Sequence, residues 1–308
     1  MNKPTPDAPL KIGTRGSPLA LAQAHEVRDR LAAAHDMAAD CFAITVIQTT
    51  GDAVQDRPLS EIGGKGLFTK EIEAALIDRR IDIAVHSTKD VANQLPDGLE
   101  LTTFLPREDV RDSFISRQFE RFDDLPQGAV VGSSSIRRRA QMAARRPDLQ
   151  FVEFRGNVQT RLAKLDAGLA VATLLACAGL NRLGQHQLLN PIEPDVMLPA
   201  VAQGAISIEQ RADDDLARQM LAPLNHADSA LVVAVERAFL AELDGSCRTP
   251  IGGLAELDGD RVTLRGEILK MDGAISHSDS WTASRADAIE MGAAAGRELL
   301  HRAGPGFL

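Results

Sequence analysis

The sequence has no tyrosine, a single tryptophan (Trp281) and only three cysteines in 308 residues. So few aromatics give no stacking platform for bases, and a net charge of −9 has the wrong sign for a phosphate backbone. Nucleic acid is therefore not expected as a partner. Cys41, Cys177 and Cys247 are widely spaced and odd in number, which argues against a disulfide framework. The seven histidines form no H-x-x-x-H pair and there is no C-x-x-C, so no metal is expected. No apolar run approaches the roughly 18 residues of a membrane span. The polar, proline-rich opening MNKPTPDAPLKIG also lacks the apolar core of a secretory signal. These absences lead to the expectation of a cytoplasmic chain without membrane contact.

What is present is an ordinary globular composition, 44% hydrophobic and 25% charged, in a chain long enough for two or three domains. The charge is uneven. Between Gly132 and Lys164, seven arginines and one lysine face only Asp148 and Glu153, a local excess of +6. Arginine concentrated in an acidic protein suits a small ligand bearing several carboxylates or phosphates, although any one arginine equally fits a solvated helix face.

Short apolar runs alternate with helical periodicity over the first two-thirds. LKIGT, CFAITVIQ and IDIAVH read as strands, and Ala20, Ala24, Val27 and Leu31 share one helical face. AVVG, QFVEF and LAVATLLA repeat the theme with helices near 134–146 and 158–167. Strands alternating with helices predict two parallel α/β sets, separated by a loop-rich stretch around 105–128. The last 80 or so residues instead give a long helix, one alternating strand (RVTLRGEIL) and a closing helix, a small α+β domain.

Four strand ends carry chemistry. IDIAVHSTKD runs a strand into Lys89 and Asp90, where open α/β sheets bind ligands. Asp90 stands there as a catalytic carboxylate or as the cap of the next turn. VVGSSSIRRRAQ, FRGNVQTRLAK and GTRGSPLA each pass from a strand through small polar residues into a helix start, a pattern that makes an anion cup. IGGKGLF is not a Walker A loop, because Gly66 follows Lys65 where Ser or Thr is required. Its glycines form either a turn bringing Lys65 near the crevice or only a loop. ELDGSCRTPIGG displays Cys247 on a loop beside Arg248, a cation that favours the thiolate. Taken alone, these residues describe an α/β protein for a polycarboxylate with a reactive thiol. A non-catalytic anion binder and a Schiff-base enzyme using Lys89 or Lys65 remain alternatives.

From about Ile12 to the C-terminal helix, these motifs together resemble the porphobilinogen deaminase (hydroxymethylbilane synthase) family. The resemblance rests on TRGSPLALAQA, GGKGLFTKEIE, DIAVHSTKD, REDVRDSFIS, GSSSIRRRAQ, FRGNVQTRLAKLD, LPAVAQGA and ERAFLAELDGSCRTPIGG, in the family's order. It implies two periplasmic-binding-protein-like α/β domains (1–105 with 203–222, and 106–202) plus a C-terminal α+β domain (227–308). It also implies a monomeric transferase of tetrapyrrole biosynthesis. Such an enzyme condenses four porphobilinogen molecules onto a dipyrromethane cofactor held by a thioether on Cys247.

Carried over by position, the resemblance gives the chemistry to Asp90 with Lys89 and Arg15. Cofactor contacts fall to Asp90, Lys89, Ser17, Ser135, Arg137, Arg138, Arg155, Gly156 and Gln203. Substrate carboxylates fall to Arg15, Arg155, Asn157, Arg161, Arg182 and Lys65. The sequence departs from the family pattern at Glu61, where some relatives carry a lysine, and at Thr88, Ala92 and Ala202. It departs again at Leu169–Val171, where a polar stretch is usual.

Overall fold

The computed structural model describes residues 3–53, 66–243 and 249–308. In chain order, the first part runs β1 (Leu10–Thr14), α1 (Pro18–His35), β2 (Phe42–Val46), α2 (Thr50–Ala53), α3 (Lys70–Ile77), β3 (Ile83–Ser87) and β4 (Leu99–Phe104). Next come β5 (Asp112–Ser116), β6 (Val130–Gly132), α4 (Ile136–Arg145), β7 (Gln150–Val152), α5 (Val158–Asp166), β8 (Ala172–Ala176), α6 (Cys177–Arg182) and β9 (Pro191–Ile192). The chain closes with β10 (Ile206–Arg211), α7 (Asp215–Leu221), α8 (Ala227–Glu242), β11 (Ile251–Asp258), β12 (Arg261–Leu269), β13 (Ser276–Ser284) and α9 (Ala288–Ala303).

Two compact units result. One gathers the described residues up to Glu108 with Ala205–Ala230; the other gathers Asp109–Gly204 with Leu231–Leu308. The first is built on a five-stranded sheet of order β2-β1-β3-β10-β4. β1 is parallel to both β2 and β3, whereas β10 is antiparallel to β3 and β4. The apolar stripe of α1, with Ala24, Val27 and Leu31, packs on Ile12, Ile83, Val85, Ile206 and Ile208. The other face meets α3, where Ile72, Ala75 and Leu76 cover Ala84. Pro18 at the start of α1 and the Ser17 hydroxyl, accepting from the Ala20 N–H, set where that helix begins.

The second unit holds a matching sheet of order β7-β6-β8-β5-β9 and the three-stranded antiparallel sheet β11-β12-β13. Two α/β sheets and a C-terminal α+β element are the architecture that the family resemblance implies. Neither α/β sheet is wholly parallel, however, because β10 and β5 run against their neighbours. β5 also lies inside the stretch read as loop from sequence, and the C-terminal sheet has three strands where one was expected.

Ala202 occupies the left-handed region with φ 61°. Glycine takes this conformation without a steric penalty and alanine does not, which explains why the family pattern favours glycine here. The alanine is retained in place by its N–H, which donates to the buried Glu236 Oε2 at 2.6 Å. Of the Leu169–Val171 departure, Leu169 is exposed and Ala170 buried, and the Val171 N–H bonds the Val130 carbonyl next to the start of β8. Cys41 and Cys177 are both buried, and burial pushes the Cys177 thiol up to about 12.

Candidate active site

In the first unit, β1 and β3 are adjacent parallel strands, so the residues that follow each emerge at the same sheet edge. Arg15 follows β1, and Asp90 ends the 3-10 turn Thr88–Asp90 after β3. They line a cavity of about 70 Å3 together with Ser17, Gln23, Phe68, His86 and Ser87. Arg15 Nε donates to Asp52 Oδ2 at 3.0 Å, its Nη2 pairs with Asp52 Oδ1, and its guanidinium lies 4.1 Å from the centre of the Phe68 ring. Its Nη1 is 3.9 Å from Asp90 Oδ2. Burial works against the Arg15 charge, but the Asp52 hydrogen bonds and the Asp90 charge outweigh it and hold the guanidinium above its ordinary value. Asp52 is likewise opposed by burial, yet Arg15 and the Thr49 hydroxyl hold it below the usual carboxylate range. Gln23 and Ser87 exchange hydrogen bonds of 2.9 and 3.1 Å on the cavity wall.

In the second unit the arginines divide into two groups. Arg137 Nη2 and Arg138 Nη2 grip the two oxygens of Asp112 at 2.7 and 2.6 Å, Arg138 Nε adds a bond at 3.2 Å, and Gln203 Nε2 a fourth at 3.0 Å. The Asp112 side chain is wholly buried. Burial pushes its carboxyl up, and the two guanidiniums overcome that and hold it far below the ordinary range. The other group is Arg155 and Arg161. Arg161 donates from Nε to the Gly156 carbonyl at 2.9 Å. It is pushed down to about 10, first by burial and then by the like charges of Arg138 and Arg155. Gly156 has φ +115°, and a Cβ there would sit 2.6 Å from Thr160, so no other residue fits this turn without displacement.

Ser135 and Asn157 are the helix caps of α4 and α5: their side-chain oxygens accept from the N–H groups of Arg138 and Thr160. Arg182 donates to the Gly204 carbonyl at 2.9 Å.

Comparison with known proteins places this geometry. A family model described as "Porphobilinogen deaminase, dipyromethane cofactor binding domain" matches residues 10–219, and one described as "Porphobilinogen deaminase, C-terminal domain" matches residues 230–301. The chain belongs to the porphobilinogen deaminase family. The deaminase of Paracoccus denitrificans is 63% identical over 305 residues, covering 99% of this chain and 97% of that one. That of Nitrobacter hamburgensis is 56% identical over 297 residues, with 96% and 94% covered. Among solved structures, a TRAP periplasmic solute binding protein from Desulfovibrio salexigens overlaps 71% of this chain and 73% of its own at TM-score 0.42 and 10% identity.

Set against the family's motif positions, the structure brings Arg15, Ser17 and Asp90 to one cavity, with Lys89 in the turn beside Asp90. It gathers Arg137, Arg138 and Gln203 on Asp112, and sets Arg155 and Arg161 close enough to repel. Cys247, Lys65 and Glu61 lie outside the described residues. Sequence reasoning missed Asp52, Asp112 and Gln23. Gln23 left a signal, a polar residue on the otherwise apolar stripe of α1; the two aspartates left none, because their partners are distant in sequence. Among the described residues, no group of three or more His, Cys, Asp or Glu is placed to hold a metal, and no helix is long and apolar enough to cross a membrane.

Proposed function

We propose that the chain acts as a hydroxymethylbilane synthase through the residues just described. It joins four porphobilinogen molecules head to tail, releases ammonia from each, and frees the linear product by hydrolysis. The observation that carries the assignment of roles is Asp90 on the cavity wall, 3.9 Å from an Arg15 that Asp52 has already oriented.

The donor set fits a covalently held dipyrromethane. Each pyrrole bears an acetate and a propionate, and Arg161 is a half-buried cation crowded by two others. A carboxylate placed among them relieves that repulsion and forms charge-assisted hydrogen bonds. Cys247 is the residue assigned to the thioether. When bound, the group supplies the terminal pyrrole to which each substrate unit is joined.

The remaining work falls to the chain's own side chains. The Asp90 carboxylate stabilises the positive charge that develops on porphobilinogen as ammonia departs, and it accepts and returns a proton. Lys89 flanks it as a cation. Arg15, Arg155, Arg161 and Arg182 hold carboxylates, and the same role is assigned to Asn157 and to Lys65. Ser17, Ser135 and Gly156 shape the helix starts so that backbone N–H groups face the anion. Arg137, Arg138 and Gln203 contact the cofactor from the Asp112 network.

Functionally the chain divides into 1–105 with 203–222, 106–202, and 227–308, a division supported by β10 completing the first sheet. An acidic net charge and an aromatic-poor sequence support the absence of a nucleic-acid partner, and the family resemblance supports a cytoplasmic monomer.

Arg161→Gln separates binding from structure. Removing a crowded, half-buried cation is expected to change stability by no more than about 1 kcal/mol. The KM for porphobilinogen is expected to rise about 10- to 100-fold, the loss of a charged hydrogen bond of roughly 1.5–3 kcal/mol. Steady-state kinetics beside a thermal melt check this; an unchanged KM removes Arg161 from the carboxylate site.

A further inference from the structure

Beside the Arg15–Asp90 cavity lies a buried acid–base cluster to which the reaction assigns no role. In the antiparallel pairing of β10 with β3, Ser207 is opposite His86 and Glu209 opposite Ala84. Side chains opposite or two apart share a face of the sheet, so all four face α3. His86 Nε2 and Glu209 Oε2 are 2.9 Å apart and both residues are buried. Glu73 reaches the same place from α3 and is only 8% exposed. Burial raises the Glu73 carboxyl, and the Glu209 and Glu71 charges raise it further, against a Thr69 hydrogen bond and the opposing effect of His86.

A His–Glu pair that served only to hold the sheet together would need one acid. Here there are two, and the accounting of hydrogen bonds is open. Glu209 Oε1 and Ser207 Oγ are buried without a partner among the described residues. Both acceptors retain capacity for a proton or a water. Other charges nearby are partly committed, although Arg211 Nε and Glu71 Oε2 are likewise buried without a partner among the described residues. Arg211, two residues along β10, donates to the Leu76 and Ile81 carbonyls and to Asp214. Glu71 accepts from Thr50, and Arg15 is held by Asp52. His86 also lines the cavity that Asp90 lines, so the cluster borders the ligand's space at this residue.

We propose that Glu73, Glu209 and His86 together hold one exchangeable proton beside the cavity, taken up when a carboxylate-bearing ligand enters and given back when it leaves. A cluster of two carboxylates and one imidazole becomes one charge less negative with each proton it gains. An anion arriving next to it makes the more negative state costlier, so the cluster takes a proton from solvent; the proton returns to solvent on release, and no covalent bond changes. The titration belongs to the three groups jointly. The device keeps the field at Asp90 steady as each anionic unit arrives. It rests on the reading that this cavity accepts substrate carboxylates.

The test uses the holoenzyme and a pyrrole carrying acetate and propionate side chains but no aminomethyl group, which has no ammonia to lose. Calorimetric titration at pH 7 in buffers of different ionisation enthalpy counts protons taken up on binding. Wild type is expected to take up a large fraction of one proton. Glu73→Gln and Glu209→Gln should bind the probe with that uptake abolished, a change that a purely structural role would not produce. In wild type labelled with 13C-histidine, the His86 imidazole resonance, identified by its loss in His86→Asn, should shift on adding the probe. Binding without uptake in wild type, or uptake unchanged in both glutamine variants, overturns the proposal alone. If the probe does not bind wild type at all, the carboxylate reading of the cavity fails and the proposal fails with it.

Discussion

Replacement of Asp90 by alanine is expected to leave the fold intact and to cut turnover by about two to four orders of magnitude, the range for loss of a positioned acid–base group. The turn survives because it is closed by backbone, the Val91 N–H donating to the Thr88 carbonyl. The Asp90 side chain is 32% exposed, so its removal leaves no buried cavity. What is lost is the only carboxylate lining the cavity among the described residues, which Arg15 faces. Arg15 keeps its Asp52 partner and stays oriented, so binding should weaken far less than kcat falls. Product formation from porphobilinogen, measured beside a thermal melt, checks this. Turnover within a few-fold of wild type would remove Asp90 from the mechanism.

Asp112→Ala should act on the fold itself. It removes the shared carboxylate from two guanidiniums that are 5% and 8% exposed, leaving them with carbonyl partners only, and takes one of the Gln203 amide's hydrogen bonds. Breaking a buried ion pair from one side costs about 3–5 kcal/mol, because the remaining charges are left uncompensated. In a chain of this size that lowers Tm by on the order of 10 °C. The sign of the pH effect follows from the depressed Asp112 carboxyl. Its contribution is complete above the unfolded value near ~3.9 and is lost as pH falls below it. Wild type should therefore lose stability on acidification faster than Asp112→Ala does. Melts from pH 7 down to pH 3 measure both effects, and parallel acid limbs for the two proteins would show that Asp112 is not held ionised by the arginines.

The positions of Arg15 and Asp90 were legible because a parallel strand delivers whatever follows it to one known edge. Their partners were not. Asp52 meets Arg15 from 37 residues away, and Asp112 meets Arg137 from 25, distances on which periodicity is silent. β5 was hidden because charged REDVRD leads into it and its apolar content is little more than Phe114 and Ile115. β10 misleads in another way. ISIEQR alternates as a half-wet strand does, yet all six residues are buried, because α3 covers the face that carries Ser207, Glu209 and Arg211. The glycine-rich helix starts read as anion cups, while the Ser17, Ser135 and Asn157 oxygens turn out to be spent on helix N–H groups. Only the backbone path fixes which hydroxyls are spent.

The most direct measurement is the intact mass of the purified protein beside a Cys247→Ala variant, each before and after incubation with porphobilinogen. The predicted result is an added mass of two porphobilinogen units less their ammonia, present on the wild-type chain and absent from the variant. A wild-type chain that keeps its bare polypeptide mass after incubation, or a Cys247→Ala chain carrying the same addition, would contradict the assignment of Cys247 and the chemistry built on it.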